Sequence, residues 1–508
     1  MSSHKFTEDS YEQALISLFR DELGYEYIYG PDIERDYRQP CYVDALVPAI
    51  RRINPSLPQE AIDEALRQII HATDNTLIAS NEEFMRNLQD GLEVPFVLNA
   101  DEKTEIVQLI DYAHKDRNTF HIANQWRVEG HDAIRCDMVV FVNGLPLVVI
   151  ELKSPSEEGV SVHDAYLQMR NYQLKVPDLF TYNAFNVISD MDMTLAGTIT
   201  ADEERYMEWK SKDGLYEDKA HVSYDTFFHG IFPKERLLDI LQNFICFDHR
   251  EGRAAKILAG YHQYFAVNRA LKRTYDAVNG DGKIGVFWHT QGSGKSLSMV
   301  FLARLLGRHF HESTIVVVTD RNDLDDQLYG QFSRCADFLR QMPQQASSKA
   351  ELGDLLRDRK AGGIFFTTIQ KFEEDERFLS NRRNIIVMTD EAHRSQYGDT
   401  TFDVQTLKTK KGYARLMREA LPNASFIGFT GTPVSDRDRD TQEVFGEYID
   451  IVDVGIFYFD RCYDVVFSRL IFTFDVGDNH ARFYFSCAIV AKFSVFEEDT
   501  ASVVLDKD

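Results

Sequence analysis

None of the six cysteines (Cys41, Cys136, Cys246, Cys335, Cys462, Cys487) stands in a CxxC pair, so neither a zinc site nor a disulfide framework is indicated. Reduced, structural thiols are the expectation. No apolar run approaches the roughly 20 residues of a membrane span, and LPLVVI at 145–150 is far too short. The opening MSSHKFTEDS carries charge where a signal peptide needs an apolar stretch, which points to a cytoplasmic protein with no membrane partner. Positive charge is scarce too: 56 Lys and Arg stand against 81 Asp and Glu, for a net charge of −25. That excludes an all-over basic nucleic-acid binder and confines any DNA contact to a local groove or a surface shared with a partner. Internal repeats and low-complexity tracts are absent as well.

What remains is an ordinary globular composition, 44% hydrophobic and 27% charged over 508 residues, enough for roughly two to four domains. Tyr11, Ala14, Leu15, Leu18 and Phe19 share one face of a helix over 8–23, with Gly24 as its stop. Further helices are expected over 59–71 and 161–175, within mixed strands and helices up to 250. From about 255, short apolar strands (GVFW 285–288, TIVVVT 314–319, GIFFTT 363–368, NIIVMT 384–389, SFIGFT 425–430) alternate with helical stretches. Such alternation builds a parallel sheet with crossover helices. The fold class is α/β, with a boundary near 250–260 and a loss of pattern after about 450.

In VFWHTQGSGKSLSMV a strand runs into a helix through a glycine-rich loop. Its residues Thr290, Gly292, Ser293 and Gly294 can wrap a phosphate at close range, and the helix start adds N–H donors. Lys295 can reach the β- and γ-phosphates of ATP, and the Ser296 hydroxyl can ligate Mg²⁺. The strict pattern has Gly where this chain has His289, and a plain helix-capping turn has a similar composition. In DEAH (390–393), again after an apolar strand, Asp390 can hold Mg²⁺ through water and Glu391 can orient the attacking water. A solvated helix start would look the same. Thr430 and Thr432 of TGTP (430–433) follow a third strand and can sense the terminal phosphate. Three such motifs at strand ends, in this order, point to ATP.

A second constellation lies in AIRCDMVVFVNGLPLVVIELKSP (133–155). Asp137 sits in one strand, and Glu151 and Lys153 share one face of the next. Two carboxylates can hold Mg²⁺, and Lys153 can orient a water and stabilise charge on a phosphodiester. Surface carboxylate–lysine pairs are common, but Val148, Val149 and Ile150 mark this strand as buried. A two-residue turn at Asn143-Gly144 would pair Asp137 with Ile150 and put Glu151 on the opposite face. A shared metal therefore requires an odd connection, expected as a three-residue loop over 143–145 with a bulge.

The 255–450 segment resembles the superfamily-2 DEAH-box helicases and translocases. That resemblance implies that Gln263 reads adenine and that 319–324 and 367–371 touch the DNA backbone. The 133–155 segment resembles the PD-(D/E)xK nucleases, and Gln168 and Tyr172, four apart on the 161–175 helix, match the QxxxY element of its restriction and RecB-like branches. The same resemblance implies that Glu12 completes the metal site. A nuclease block upstream of a motor block, with the wording NGLPLVVIELKSP and FWHTQGSGKS, resembles the R subunit of type I restriction–modification enzymes. This implies a PD-(D/E)xK restriction-endonuclease-like domain over 1–250, a RecA-like P-loop parallel-sheet domain over 251–450 and an atypical tail over 451–508. It also implies ATP and Mg²⁺ as cofactors, and double-stranded DNA with methyltransferase (M) and specificity (S) subunits as partners. The activity implied is ATP-dependent translocation coupled to double-strand cleavage of unmodified DNA. No GlnxxGlyArgxxArg segment of a second motor domain occurs, so the chain reads as truncated or altered after about 450, able to bind ATP without translocating alone. A DNA-repair nuclease–helicase and a catalytically silent ATP- or DNA-binding fragment are the alternatives.

Overall fold

The computed structural model describes residues 7–71, 76–98, 101–154, 159–217, 222–290, 292–320, 322–372, 378–392, 401–403, 408–410, 413–431, 442 and 444–452. The anticipated first helix is Glu8–Ser17, extended by a π-helical turn Leu18–Glu22 and stopped at Gly24, whose φ is +73°. Tyr11, Leu15, Leu18 and Phe19 are buried along it, as the apolar spacing requires. The other two anticipated helices are Gln59–Ile70 and Val162–Lys175.

The first sheet has six strands in the order Glu26–Tyr29, Phe120–Glu129, Ala133–Val142, Leu145–Leu152, Phe185–Ser189, Thr194–Gly197. It is mixed. The central strands pair antiparallel, while Leu145–Leu152 runs parallel to Phe185–Ser189. Helix Val162–Lys175 makes the crossover between those parallel strands, started by a capping box of Ser161 and Asp164. It buries Ala165, Met169 and Tyr172 in the same apolar cluster as Val139, Phe141 and Val149. A buried strand bearing a Glu is therefore held between a helix and its neighbours, which positions the site described below.

The second sheet has seven strands, all parallel, in the order Gln344–Gln345, Ile364–Thr368, Thr314–Thr319, Ile385–Thr389, Ser425–Thr430, Lys283–His289, Tyr448–Val452. Its five inner strands coincide with the apolar runs to within two residues. Being covered on both faces, they read as continuous hydrophobic stretches rather than alternating ones. No helix among the described residues is long and apolar enough to cross a membrane.

Hairpin Ile245–Arg250/Arg253–Leu258 leads from the first sheet toward helix Tyr261–Asn279. It is anchored by the buried Lys256, whose Nζ donates to Asn81 Oδ1 (2.8 Å) and to the Asn183 carbonyl (2.6 Å). Burial pushes the Lys256 ammonium well below the usual lysine range. A second tie joins the end of helix Leu77–Asp90 to the second block. Asp90 accepts from Arg304 (2.6 Å) and Arg340 (2.6 Å) and also pairs with Arg308, which donates to the Gln89 carbonyl (2.8 Å). Burial alone would raise the Asp90 carboxyl, but the three guanidiniums hold it below its ordinary value. Asp90→Ala would leave three cations crowded without a counter-charge. It is expected to cost about 2 kcal/mol in urea unfolding, the scale of hydrogen bonds to charged groups, whereas Asp281→Ala, on the exposed turn before Lys283–His289, should cost far less.

Candidate functional site

Asp137 and Glu151 do face each other. Met138 pairs with Ile150, and continuing that register by one sets Asp137 across from Glu151. The connection differs from the one expected. Val142 pairs with Leu145, so the turn is the two-residue Asn143-Gly144, both at positive φ (52° and 78°). The needed one-residue offset comes instead from a bulge at Leu147, between the Phe141–Pro146 and Val140–Val148 pairs. Asn-Gly is the favoured pair for such a tight turn, and Gly144 has no room for a Cβ, which would lie 2.4 Å from the Tyr42 carbonyl oxygen. Turn and register are thus set independently.

On the other side of Asp137 the sheet opens. Asn124 pairs with Met138 and Trp126 with Cys136, but Gln125 between them turns to φ 53° and makes no pair with Asp137. The Asp137 carboxylate accepts the Leu152 N–H (2.9 Å). Lys153 Nζ donates to Glu151 Oε1 (2.7 Å) and to Gln168 Oε1 (3.2 Å). Gln168 Nε2 donates to the Tyr172 hydroxyl (2.7 Å), which donates to the Arg135 carbonyl (3.0 Å). Five of the anticipated residues therefore form one connected cluster, and the helix pair Gln168/Tyr172 fixes the lysine rather than packing passively.

The electrostatics are those of two carboxyls and a lysine held close together under burial. Burial, with Glu8 and Glu12 nearby, lifts the Asp137 carboxyl to about 6 against the Leu152 N–H. Burial and the Asp137 charge push Glu151 well above the carboxylate range, although Lys153 opposes them. Burial would lower Lys153, but Glu151 and Asp137 hold it above its ordinary value. Glu151 is fully buried and its Oε2 accepts no hydrogen bond. An orphaned carboxylate oxygen beside a second raised carboxyl is the donor set that a hard divalent cation fits.

Glu12 is buried near this cluster, but both its oxygens are engaged, accepting from Asn124 (2.6 Å) and Gln125 (2.8 Å). Glu8, one helical turn earlier, was not singled out by the sequence. Its charge acts on both Asp137 and Lys153. The i,i+4 spacing of the two glutamates was the available signal.

At the second site, Gly292 and Gly294 take φ of 93° and 80°, and Gly294 caps helix Lys295–His309, which places Ser296 in its first turn. Ser293 donates to the Thr290 carbonyl (2.7 Å). Lys295 Nζ lies 2.8 Å from Asp390 Oδ1 and 2.7 Å from Glu391 Oε1. Burial would lower its ammonium, yet the two carboxylates raise it. Glu391 itself is at φ 49°, an uncommon conformation for a residue with a side chain. Thr430 ends the strand next to the one that carries Asp390. Thr432 and the histidine of the DEAH segment lie outside the described residues, as does the tail beyond Val452. Gln263 reaches the loop, but its amide is used within the chain: Oε1 accepts from Gly260 (2.9 Å) and Nε2 donates to the Gly294 carbonyl (3.1 Å). His289, the departure from the strict loop pattern, is fully buried, with Nε2 3.3 Å from Asp450 of the edge strand, so its side chain is accommodated in the sheet. The segments 319–324 and 367–371 meet where Gln370 donates to the Asp320 carbonyl.

A parallel sheet with a glycine loop at one strand end and an acidic pair at another is the arrangement of the P-loop class, and residues 262–457 match the SWI2/SNF2 ATPase family model. Residues 5–205 match the model of the type I restriction enzyme R protein N terminus, and most of the chain is similar to endonuclease subunits of type I restriction enzymes. It is 42% identical over 471 residues to the HindI endonuclease subunit of Haemophilus influenzae, covering 88% of this chain and 44% of that one. It is 34% identical over 477 residues to the MjaIXP endonuclease subunit assigned in Methanocaldococcus jannaschii, covering 86% and 43%. The chain thus spans less than half the length of these curated relatives. Among solved structures, the UvsW helicase of bacteriophage T4 aligns over 40% of this chain and 62% of that one at 17% identity, with a TM-score of 0.28, too low to carry a conclusion.

Proposed function

We propose that this chain is the nuclease-and-motor portion of a type I restriction enzyme R subunit, cutting double-stranded DNA with Mg²⁺ in the first block and hydrolysing ATP in the second. The block boundaries are 1–250 and 251–450, and the partners are the M and S subunits and unmodified DNA. The carrying observation is the Asp137–Glu151–Lys153–Gln168–Tyr172 cluster, with its orphaned Glu151 oxygen. A bound Mg²⁺ would supply a polarised phosphodiester and a more acidic water. Asp137 and Glu151 would hold it, with Glu8 or Glu12 as the helix-borne third carboxylate. Lys153 gives its proton-rich end to the phosphate oxygens, and Gln168 and Tyr172 keep that lysine aimed. In the second block Lys295 transfers its contacts from Asp390 and Glu391 to the phosphates. Ser296 and Asp390 would hold the nucleotide's Mg²⁺, with Glu391 placed to orient water and Thr290, Ser293, Thr430 and Thr432 to line the phosphate path. Gln263 sets the loop, and reading the adenine edge would require its amide to leave Gly260 or Gly294. Translocation coupled to cleavage is the combined activity.

Mg²⁺-dependent nicking of a supercoiled plasmid by the enzyme assembled with its M and S subunits tests this reading. Lys153→Ala should lower the nicking rate on the order of 10²-fold or more, the scale of one lost charge-stabilising donor. Unchanged nicking would remove the nuclease assignment.

A further inference from the structure

At Gln125 the ladder beside Asp137 breaks, and the backbone φ of 53° is one that residues with a side chain seldom adopt. Strand Glu26–Tyr29 pairs with this strand only as far as Asn124, so Gln125 lies past that edge too. Gly30 follows at once, and a Cβ there would lie 2.8 Å from the Asn124 carbonyl oxygen and 2.9 Å from that of Gln125. The kink is thus held by close backbone packing. In an extended strand, successive side chains point to opposite faces. The kink cancels that alternation. Asn124 Nδ2 and Gln125 Nε2 both donate to Glu12, at 2.6 and 2.8 Å, one to each carboxylate oxygen. The Tyr27 hydroxyl donates to Asn124 Oδ1 (3.0 Å), which fixes the Asn124 amide with its nitrogen toward Glu12.

We propose that Gln125 is a positioning residue for DNA cutting: with Asn124 and Tyr27, its kinked backbone clamps Glu12 as the third carboxylate of the Asp137–Glu151 cation cluster. The inference rests on the nuclease reading above and extends it to residues that touch neither metal nor substrate. A carboxylate offers about four lone-pair positions, and the two amide N–H groups occupy two of them. The others stay open to a divalent ion, while the paired donors stop the carboxylate from rotating. The Glu12 charge acts on Asp137, so the clamped group lies near the facing pair Asp137–Glu151. Glu8 acts on Asp137 as well, yet neither amide donates to it. The same kink leaves Asp137 without a pairing partner on that side. One backbone distortion therefore opens the sheet beside Asp137 and brings a third carboxylate to the opening.

The test measures Mn²⁺ binding to the nucleotide-free full chain by isothermal titration calorimetry, with Asp137→Asn identifying the signal that belongs to this site. Plasmid nicking by the assembled enzyme is followed in parallel over a range of Mn²⁺ concentrations. Gln125→Gly accepts the left-handed backbone and deletes only the amide. It should weaken the Asp137-dependent Mn²⁺ site on the order of 10–100-fold, the scale for partners that orient metal ligands. Nicking should fall at low Mn²⁺ and recover toward the wild-type rate at high Mn²⁺, a rescue that a merely structural role would not give. Tyr27→Phe, which removes one hydroxyl from an exposed ring, should weaken the same site by less. Glu12→Gln should weaken it at least as much as Gln125→Gly, and circular dichroism should show each variant folded. Wild-type Mn²⁺ affinity in both Gln125→Gly and Tyr27→Phe would overturn the proposal and leave the nuclease reading standing. So would a site lost in Glu8→Gln but intact in Glu12→Gln. A wild-type protein with neither an Asp137-dependent Mn²⁺ site nor metal-dependent nicking would overturn both.

Discussion

Glu151→Gln is expected to abolish DNA cleavage and, at the same time, to raise the melting temperature of the metal-free chain. The two effects share one cause. Glu151 is fully buried, one of its oxygens has no partner, and Asp137 faces it across the strand pair. Burial leaves the charged form of both carboxyls poorly solvated, and at Glu151 the Asp137 charge adds to it, which is why both titrate upward. A neutral amide keeps the shape and can still accept from Lys153, but it removes the buried ionisable group and the negative charge that a cation needs. Cleavage should fall on the order of 10³-fold, consistent with losing metal-centred charge stabilisation. The melting temperature, read by differential scanning fluorimetry in EDTA, should rise by about 2–4 °C for each kcal/mol relieved. A lower melting temperature together with intact cleavage would mean that Glu151 is a structural ion-pair partner of Lys153 only.

The sign of the pH dependence follows from the same pair. The folded chain keeps a proton on Asp137 up to about pH 6, whereas the unfolded chain releases it near the ordinary value of 3.8. Between those values the folded state binds more protons, so this group's contribution to stability falls as pH rises through that window. Mg²⁺ must displace that proton, so its affinity should climb over the same range. Asp137→Asn should flatten the stability slope, with urea unfolding at pH 4.5 and pH 7 as the measurement.

How much of this was legible beforehand depended on whether the signal was local. The five inner strands of the parallel sheet could be read from runs such as TIVVVT because strands covered on both faces need no alternation. The edge strand Tyr448–Val452 could not. Its YIDIV alternates over too few residues, and its place beside Lys283–His289 is a non-local pairing, secured by Asp450 holding His289 and Arg269. The need for an offset between Asp137 and Glu151 could be derived from strand geometry, but its location could not. A three-residue loop and a bulge at Leu147 deliver the same register, and the choice rests on Gly144 nestling against Tyr42 and Leu46, residues about 100 positions upstream. Gln168 and Tyr172 were readable through their match to the QxxxY element of the resembled nucleases, with the i,i+4 spacing placing both on one helical face. Glu8 had only its i,i+4 spacing to Glu12 as a signal, because its relation to Asp137 runs between the first helix and a strand far along the chain.

Lys295→Met should have the second large effect, and it separates the two blocks. In the structure the ammonium bridges Asp390 and Glu391 at 2.8 and 2.7 Å, so the nucleotide-free loop already stores the charge that the phosphates will take over. Methionine keeps most of the apolar stem and removes only that charge. ATP turnover by the assembled enzyme should drop on the order of 10²–10³-fold, and cleavage coupled to translocation should fall with it, while Mg²⁺ binding at the Asp137–Glu151 cluster should persist. A binding readout sharpens the test. ATP at about 100 times its dissociation constant should stabilise the wild-type chain by about 2.7 kcal/mol, visible as a thermal shift, and the variant should show little of it. The direction of the apo-state change is informative as well. Losing the bridge leaves two carboxylates facing each other beside Glu391's left-handed backbone, so the variant should melt below wild type without nucleotide. If it instead melts at the wild-type temperature and keeps the ATP shift, the bridge contributes nothing to the loop, and the phosphates are held by backbone N–H groups alone.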